Sequence, residues 1–208
     1  GASTRNAGFA CFGSITELLE DARTMGTEKM LELVEMRYRG LKRITKIFKE
    51  SEIDYCTCGG YDLINAYSPF NKKALKEKMQ WLNEQLATVI NKKKVFRFSD
   101  DKIDSLGFAN VQHMVENRLE GYLHSGKLCQ SLLILVQSIG VTVLNNIEIT
   151  GFDESNAGVT LHTNLGFELA ADKLLVYTNA FAKQLLPELD IVPARGQVLV
   201  TAPIKGLK

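Results

Sequence analysis

Apolar positions along this chain change period several times, and each change marks an element. Ser14 to Glu17 has the form of a helix-capping box, after which Leu18, Leu19, Ala22 and Met25 recur at helical spacing until Gly26. Thr27 is placed to cap a second helix whose apolar side runs through Met30, Leu33, Val34, Leu41, Ile44 and Phe48. The next stretch, IDYCTCGGYDLINA, gathers β-prone residues around Gly59-Gly60, which suits a hairpin of two antiparallel strands. Ser68 and Pro69 offer a cap and a first-turn proline for a third helix with Phe70, Ala74, Leu75, Met79, Leu82, Leu86 and Val89 on one side. KVFRF and VQHMVENRL alternate as two further strands.

The pattern changes again at Ser125. A helix carrying Leu128, Leu132, Leu133, Leu135 and Val136 is followed by Gly140 and VTVL, the helix-glycine-strand order of an α/β unit. ITGFDESNAGVTLHT reads as a β-meander, FELAADKLLVYT as a buried strand and GQVLVTAPI as a last strand. The fold class is α/β plus α+β, a partial doubly wound module interleaved with an antiparallel-sheet domain. Loop and helices occupy 1–50, the antiparallel sheet and its helix 51–124, helix, strands and meander 125–186, and a returning strand 187–208. The hairpin and the strands near 95–98, 111–119 and 196–202 are expected to form one mostly antiparallel sheet.

Composition narrows the partners. The 208 residues are 45% hydrophobic and 24% charged, the profile of a soluble globular protein. Lysine and arginine total 25 against 24 acids, so a net charge of +1 gives no reason to expect nucleic acid or an anionic membrane. The run SLLILVQSIGVTVL is broken by Ser138, Gly140 and Asn145 before reaching the roughly 20 residues that span a bilayer. Lys92-Lys93-Lys94 reads as a solvated turn. Cys11, Cys56, Cys58 and Cys129 form neither CxxC nor a zinc spacing, which fits a reduced, cytoplasmic chain; Cys56 and Cys58 would share one face of a strand. His113, His124 and His162 lie on separate elements and read as ordinary polar residues.

GASTRNAGFA opens the chain with small residues that let a backbone approach a ligand, and Arg5 and Asn6 add hydrogen-bond donors. GYLHSGKL imitates a phosphate loop through Gly121, Gly126 and Lys127, but Leu128 stands where a magnesium-binding hydroxyl belongs, so Gly126 and Lys127 read as a helix entry. Neither GxGxxG, GxSxG nor HExxH occurs, so no motif forms a self-sufficient active site.

GASTRNAGF resembles the loop GAS-x-RN-[AG]-G-F of FAD-dependent amine and amino-acid oxidoreductases of the D-amino-acid oxidase and glycine oxidase type. Three later stretches are similar in the same order: EGYLHSGKL to the crossing into an FAD-domain helix, GVTVLNNIEITGF to the strand passing the adenine, and LLVYTNAFAKQLLPELDIVPARGQVLVTAPI to the late strand, turn and return strand. The TNA turn resembles the gamma-glutamylputrescine oxidoreductase branch. The resemblance implies a partial FAD-binding module interleaved with a substrate domain. It puts Ala2, Ser3, Arg5, Asn6, Ala7 and Gly8 along the pyrophosphate and flavin, the Ile147 backbone at the adenine edge, and Thr178, Asn179 and Ala180 beside the cofactor. Asn179 replaces a glycine common in the family, and asparagine tolerates a left-handed turn. Arg195 and Gly196 begin the return strand, and Arg195 reads equally well as a surface ion-pair residue.

By the same resemblance the substrate is a small-molecule amine or amino acid, oxidised at its C–N bond by hydride transfer to flavin, with no catalytic residue assigned. Gly1 is expected to be an internal residue of a longer protein and the 208 residues to be inactive alone. The other reading is a structured, non-catalytic domain that lacks cofactor and self-associates. Fixing a residue costs about 1 to 2 kcal/mol, so Gly1 to Gly13 is expected to be loose and FAD binding weak or absent.

Overall fold

The computed structural model describes residues 2–193, 196–202 and 204–206, and these fall into two compact units, Gly1–Val136 with Thr201–Lys208, and Gln137–Val200. In the first unit Ser14 caps helix α1, Ile15–Met25, its hydroxyl accepting from Glu17 N at 3.2 Å. Glu17 sends its carboxylate to Arg37 at 3.1 Å, across to helix α2, Thr27–Ile47. Ser14→Ala is expected to cost about 1 kcal/mol, read as a lower denaturation midpoint with unchanged slope. Thr27 is the first helical residue of α2 and makes no capping bond; the chain turns at Gly26, whose φ of +90° suits glycine.

The expected hairpin around Gly59-Gly60 does not form. Residues Glu50–Ile53 make a short helix, α3, ended by Asp54 in the left-handed region, and between there and Gly59 only Cys56 forms a bridge, to Tyr122. Gly59, at φ +80°, instead leads into strand β2, Gly60–Asn65, which pairs with β4, Val111–Asn117. Strand β3, Phe96–Phe98, takes the other edge of β4, giving an antiparallel sheet in the order β2-β4-β3. A Gly-Gly turn permits a hairpin, but the apolar central strand β4 offers the better partner, buried at Met114, Val115, Glu116 and Asn117.

Helix α4, Lys72–Ile90, starts later than Ser68-Pro69 suggests: Asn71 caps it by accepting from Ala74 N at 2.9 Å, while Ser68 turns back to Phe70 N. Its Leu75, Leu82, Leu86 and Ile90 share one core with Phe12, Ile15 and Leu18, with Met30 and Val34 of α2, and with Ile64, Phe96 and Val115 of the sheet. Asn83 fastens α4 to β3 by accepting from Val95 N and Phe96 N and donating to Phe96 O, each at 2.9 Å. Lys92 to Lys94 form the expected exposed turn.

Helix α5, Ser125–Ser138, begins where the sequence places it, with His124 Nδ1 accepting from Lys127 N at 3.3 Å. In the second unit strands β6, Ile149–Ser155, β7, Gly158–Thr163, and β8, Glu168–Ala171, form the expected antiparallel meander, and helix α6, Ala182–Leu185, packs on β6. Only Thr163 and Ala182 of that unit's described residues are buried.

Three expected strands are absent. Val141 to Leu144, Leu174 to Thr178 and Gly196 to Ala202 join no ladder, and no parallel ladder forms among the described residues. Their alternation makes them able to pair, but they stay unpaired in the described structure; Leu175, Tyr177, Leu199 and Val200 are more than 70% exposed. The sheet therefore forms without the contribution expected from 196–202. Arg195 lies outside the described residues.

Candidate functional site

The opening segment, expected to be loose, is paired at its end with a distant strand. Phe9–Ala10, strand β1, pairs with Gly121–Tyr122, strand β5, and Leu123 N donates to Gly8 O at 2.8 Å. Before it, Ala2–Thr4 form one 3-10 turn. Asn6 shapes the rest with both ends of its amide: Nδ2 donates to Ser3 O and Oδ1 accepts from Gly8 N, both at 2.8 Å. Ser125 Oγ reaches Asn6 O at 3.5 Å and Cys129 Sγ reaches Ser3 O at 3.6 Å, tying the loop to the start of α5. Gly8 has φ +71°, and a Cβ there would stand 2.4 Å from Leu123 O, so only glycine fits.

The structure thus gathers Ser3, Arg5, Asn6, Ala7 and Gly8 in one loop, exposed except for Gly8. Arg5 makes no ion pair among the described residues, whereas Lys127 is held by Asp54 at 2.7 Å, which removes it from any phosphate-loop role. In the second unit Ile147 is half-buried just before β6. Thr178, Asn179 and Ala180 form one turn in which Asn179 takes φ +51°, the left-handed conformation expected of it.

Beside the loop lies a cavity of about 370 Å³, lined by Cys11, Cys58, Tyr61, Asp62, Glu120 and Tyr122 among others. Two of its acids, the buried Glu120 and the half-buried Asp62, use one oxygen each on the approach to α1. Glu120 Oε1 accepts from Phe12 N at 2.9 Å and Gly13 N at 3.4 Å, and Asp62 Oδ2 accepts from Ile15 N at 2.8 Å. Burial raises the Glu120 carboxyl to about 7, the two amides only partly opposing it, and burial likewise raises Asp62. Glu116 is the opposite case: burial would raise it, but Arg97 and Lys102 hold it at about 2. Sequence reasoning passed over Glu120 and Asp62. The only signal was an acid inside the short segment RLEGYL between two ladders.

Two of the three histidines meet carboxylates. His113 Nδ1 meets Asp100 Oδ2 at 3.0 Å, and His162 lies between Asp153 at 2.8 Å and Glu168 at 3.2 Å. No group of three or more potential metal ligands exists among the described residues. Among the described residues no helix is long and apolar enough to cross a membrane.

Helices covering an antiparallel sheet, with an ordered small-residue loop beside them, give the fold of FAD-dependent oxidoreductases. The family model described as FAD dependent oxidoreductase (DAO) matches residues 1–208, and the protein belongs to that family. Among solved structures it is similar to L-proline dehydrogenase from P. horikoshii, with 16% identity, a TM-score of 0.56, and coverage of 74% of this chain and 40% of that one. Glycine oxidase from Geobacillus kaustophilus follows at 15% identity and a TM-score of 0.55, covering 89% and 47%. L-Amino acid deaminase from Proteus myxofaciens gives 13% identity and a TM-score of 0.59, covering 88% and 38%. The chain spans less than half the length of each of these structures. No curated protein matches it.

Proposed function

We propose that this chain is part of an enzyme that oxidises a carbon–nitrogen bond of a small amine or amino acid, and that it carries one cofactor-facing loop and a portion of the substrate sheet. The observation that supports this most is the loop Ser3 to Gly8: small residues held by Leu123, Ser125 and Cys129, with an exposed Arg5 that has no ion-pair partner among the described residues. This set fits a dinucleotide, whose pyrophosphate needs backbone it can approach closely and a fixed guanidinium. Arg5 would hold a phosphate, the backbone of Ala2 to Gly8 would lie along pyrophosphate and flavin, Ile147 would offer its backbone to the adenine, and Thr178 to Ala180 would lie beside the cofactor. Bound flavin supplies acceptance of a hydride from the carbon next to nitrogen, and water hydrolyses the resulting imine.

The 208 residues alone are proposed to bind FAD weakly and to be inactive. Their four free thiols accord with a cytoplasmic protein. Quenching of flavin fluorescence on titration tests this: no saturation at low micromolar FAD is expected, and saturation there overturns it. Arg5→Ala is expected to weaken the measured binding about tenfold or more, the worth of a hydrogen bond to a charged group; equal binding by both proteins removes Arg5 from the site.

A second reading, a cofactor-free domain that self-associates, draws on the exposed Tyr177, Val192, Leu199 and Val200. A concentration-independent monomer in sedimentation equilibrium would overturn it.

A further inference from the structure

We infer that the cavity of about 370 Å³ beside the loop is a binding site for a small primary alkylammonium ion that also carries a hydroxyl or carbonyl oxygen. None of Ser3 to Gly8 lines it, so it stands whether or not that loop holds a dinucleotide. Partners across a ladder share a face, and Gly60 is paired with Asn117 as Asp62 is with Val115. Gly60, Asp62 and Asn117 therefore lie on the side of the sheet whose Ile64 and Val115 enter the core. Glu120 comes over the same place: its Oε2 is 3.0 Å from the point that a Cβ on Gly60 would occupy. The side chain that Gly60 lacks leaves the room in which these polar groups meet.

Each of them has unused bonding capacity. Asp62 gives Oδ2 and Glu120 gives Oε1 to the amides before α1, and no hydrogen bond engages Asp62 Oδ1 or Glu120 Oε2 among the described residues. Asn117 is 3% exposed; its Oδ1 accepts from Leu119 N at 3.1 Å, but its Nδ2 has no partner, a costly state for a buried donor. Two carboxyl oxygens and one amide N–H suit an ammonium, which only donates, joined to an oxygen that accepts. Phe9 and Tyr122, a cross-strand pair of β1 and β5, supply the apolar wall for the alkyl chain and ring faces that attract a cation.

The charge around these oxygens is acidic. Glu17 of α1 adds a third carboxylate, and Arg37 of α2 is spent on it at 3.1 Å. Cys11, Cys58 and Tyr122 are held above their ordinary values and stay neutral near pH 7. Burial raises Asp62 and brings Glu120 to about 7, so an incoming ammonium finds Glu120 half protonated at that pH and displaces its proton. Affinity should accordingly rise about tenfold from pH 6 to pH 8, as Glu120 passes from mostly neutral to mostly charged.

The test is calorimetric titration of the full chain, without FAD, with 3-aminopropanol, propylammonium and propane-1,3-diol. Saturable binding of 3-aminopropanol with Kd of about 1 mM or tighter is expected at pH 8, stronger than that of propylammonium, which lacks the oxygen, and of the diol, which lacks the charge. Glu120→Gln should weaken it about tenfold and abolish its pH dependence. Gly60→Ala places a methyl group among the polar groups on a backbone that any residue adopts, and should also weaken it. Absence of saturation, equal binding of propylammonium or of the diol, an affinity flat from pH 6 to 8, or unchanged binding by Glu120→Gln or Gly60→Ala would each overturn the proposal.

Discussion

Gly121→Ala is expected to remove several kcal/mol of folding stability, in the range of about 4 to 5 kcal/mol reserved for the most damaging single substitutions. A Cβ at this position would stand 1.9 Å from Cys56 O, 2.9 Å from Cys56 C and 3.1 Å from Thr57 Cα. All three are backbone atoms, so no side chain can rotate out of the way. Relief requires the 56–57 segment to move off β5, which breaks both Cys56–Tyr122 bonds and loosens the partner of β1. Gly40→Ala is the control: Gly40 lies inside α2 with nothing within 4 Å of its added methyl, and the change should stabilise by about 0.5 to 1 kcal/mol. Urea midpoints for the two variants should move in opposite directions. If they move together, the close approach of Gly121 to Cys56 is not the constraint described.

Stability should fall between pH 4.5 and about 7 through Glu120, opposite to the usual behaviour of a carboxylate. Its folded-state value of about 7 stands above the ordinary 4.5 because burial disfavours the charge. Within this window the native state therefore binds more protons than the unfolded state, so raising the pH shifts the balance toward unfolding. At about 1.4 kcal/mol per pH unit, the full difference is about 3 kcal/mol, present below pH 4.5 and gone above pH 7. Glu120→Gln keeps an oxygen for Phe12 N and Gly13 N and removes the titration. The variant should be more stable than the wild-type chain at pH 8, and its stability should change less from pH 5 to 8. A parallel pair of stability-versus-pH curves would show that Glu120 is charged in the folded protein throughout.

Helices α1, α2 and α4 were legible in the sequence because their apolar residues lie on one side and their burial follows that side: Leu18, then Met30 and Val34, then Leu75, Leu82 and Leu86. Strand β4 was legible by alternation, although Glu116 and Asn117 are buried as well. Pairing partners were not legible. The same composition that suggested a hairpin at Gly59-Gly60 serves a strand that pairs instead with residues 111–117, and a local pattern cannot state which distant edge is free. The loop could be read as small residues suited to close approach, and Asn179 as a tolerated left-handed turn. The acids of the cavity could not, because an acid's environment depends on which amides it meets, and Glu120 meets amides 107 and 108 positions away.

That separation governs the order of assembly. Helices α1 and α2 form from neighbouring residues, whereas every bond that organises the opening loop onto β5 waits for a loop of more than 100 residues to close. During synthesis residues 2–10 leave the ribosome before the strand they pair with, and that strand arrives only when Glu120 to Leu123 have followed. Residues 2–10 are therefore among the last parts of the first unit to mature, and a chain arrested before β5 would hold its helices without a formed loop.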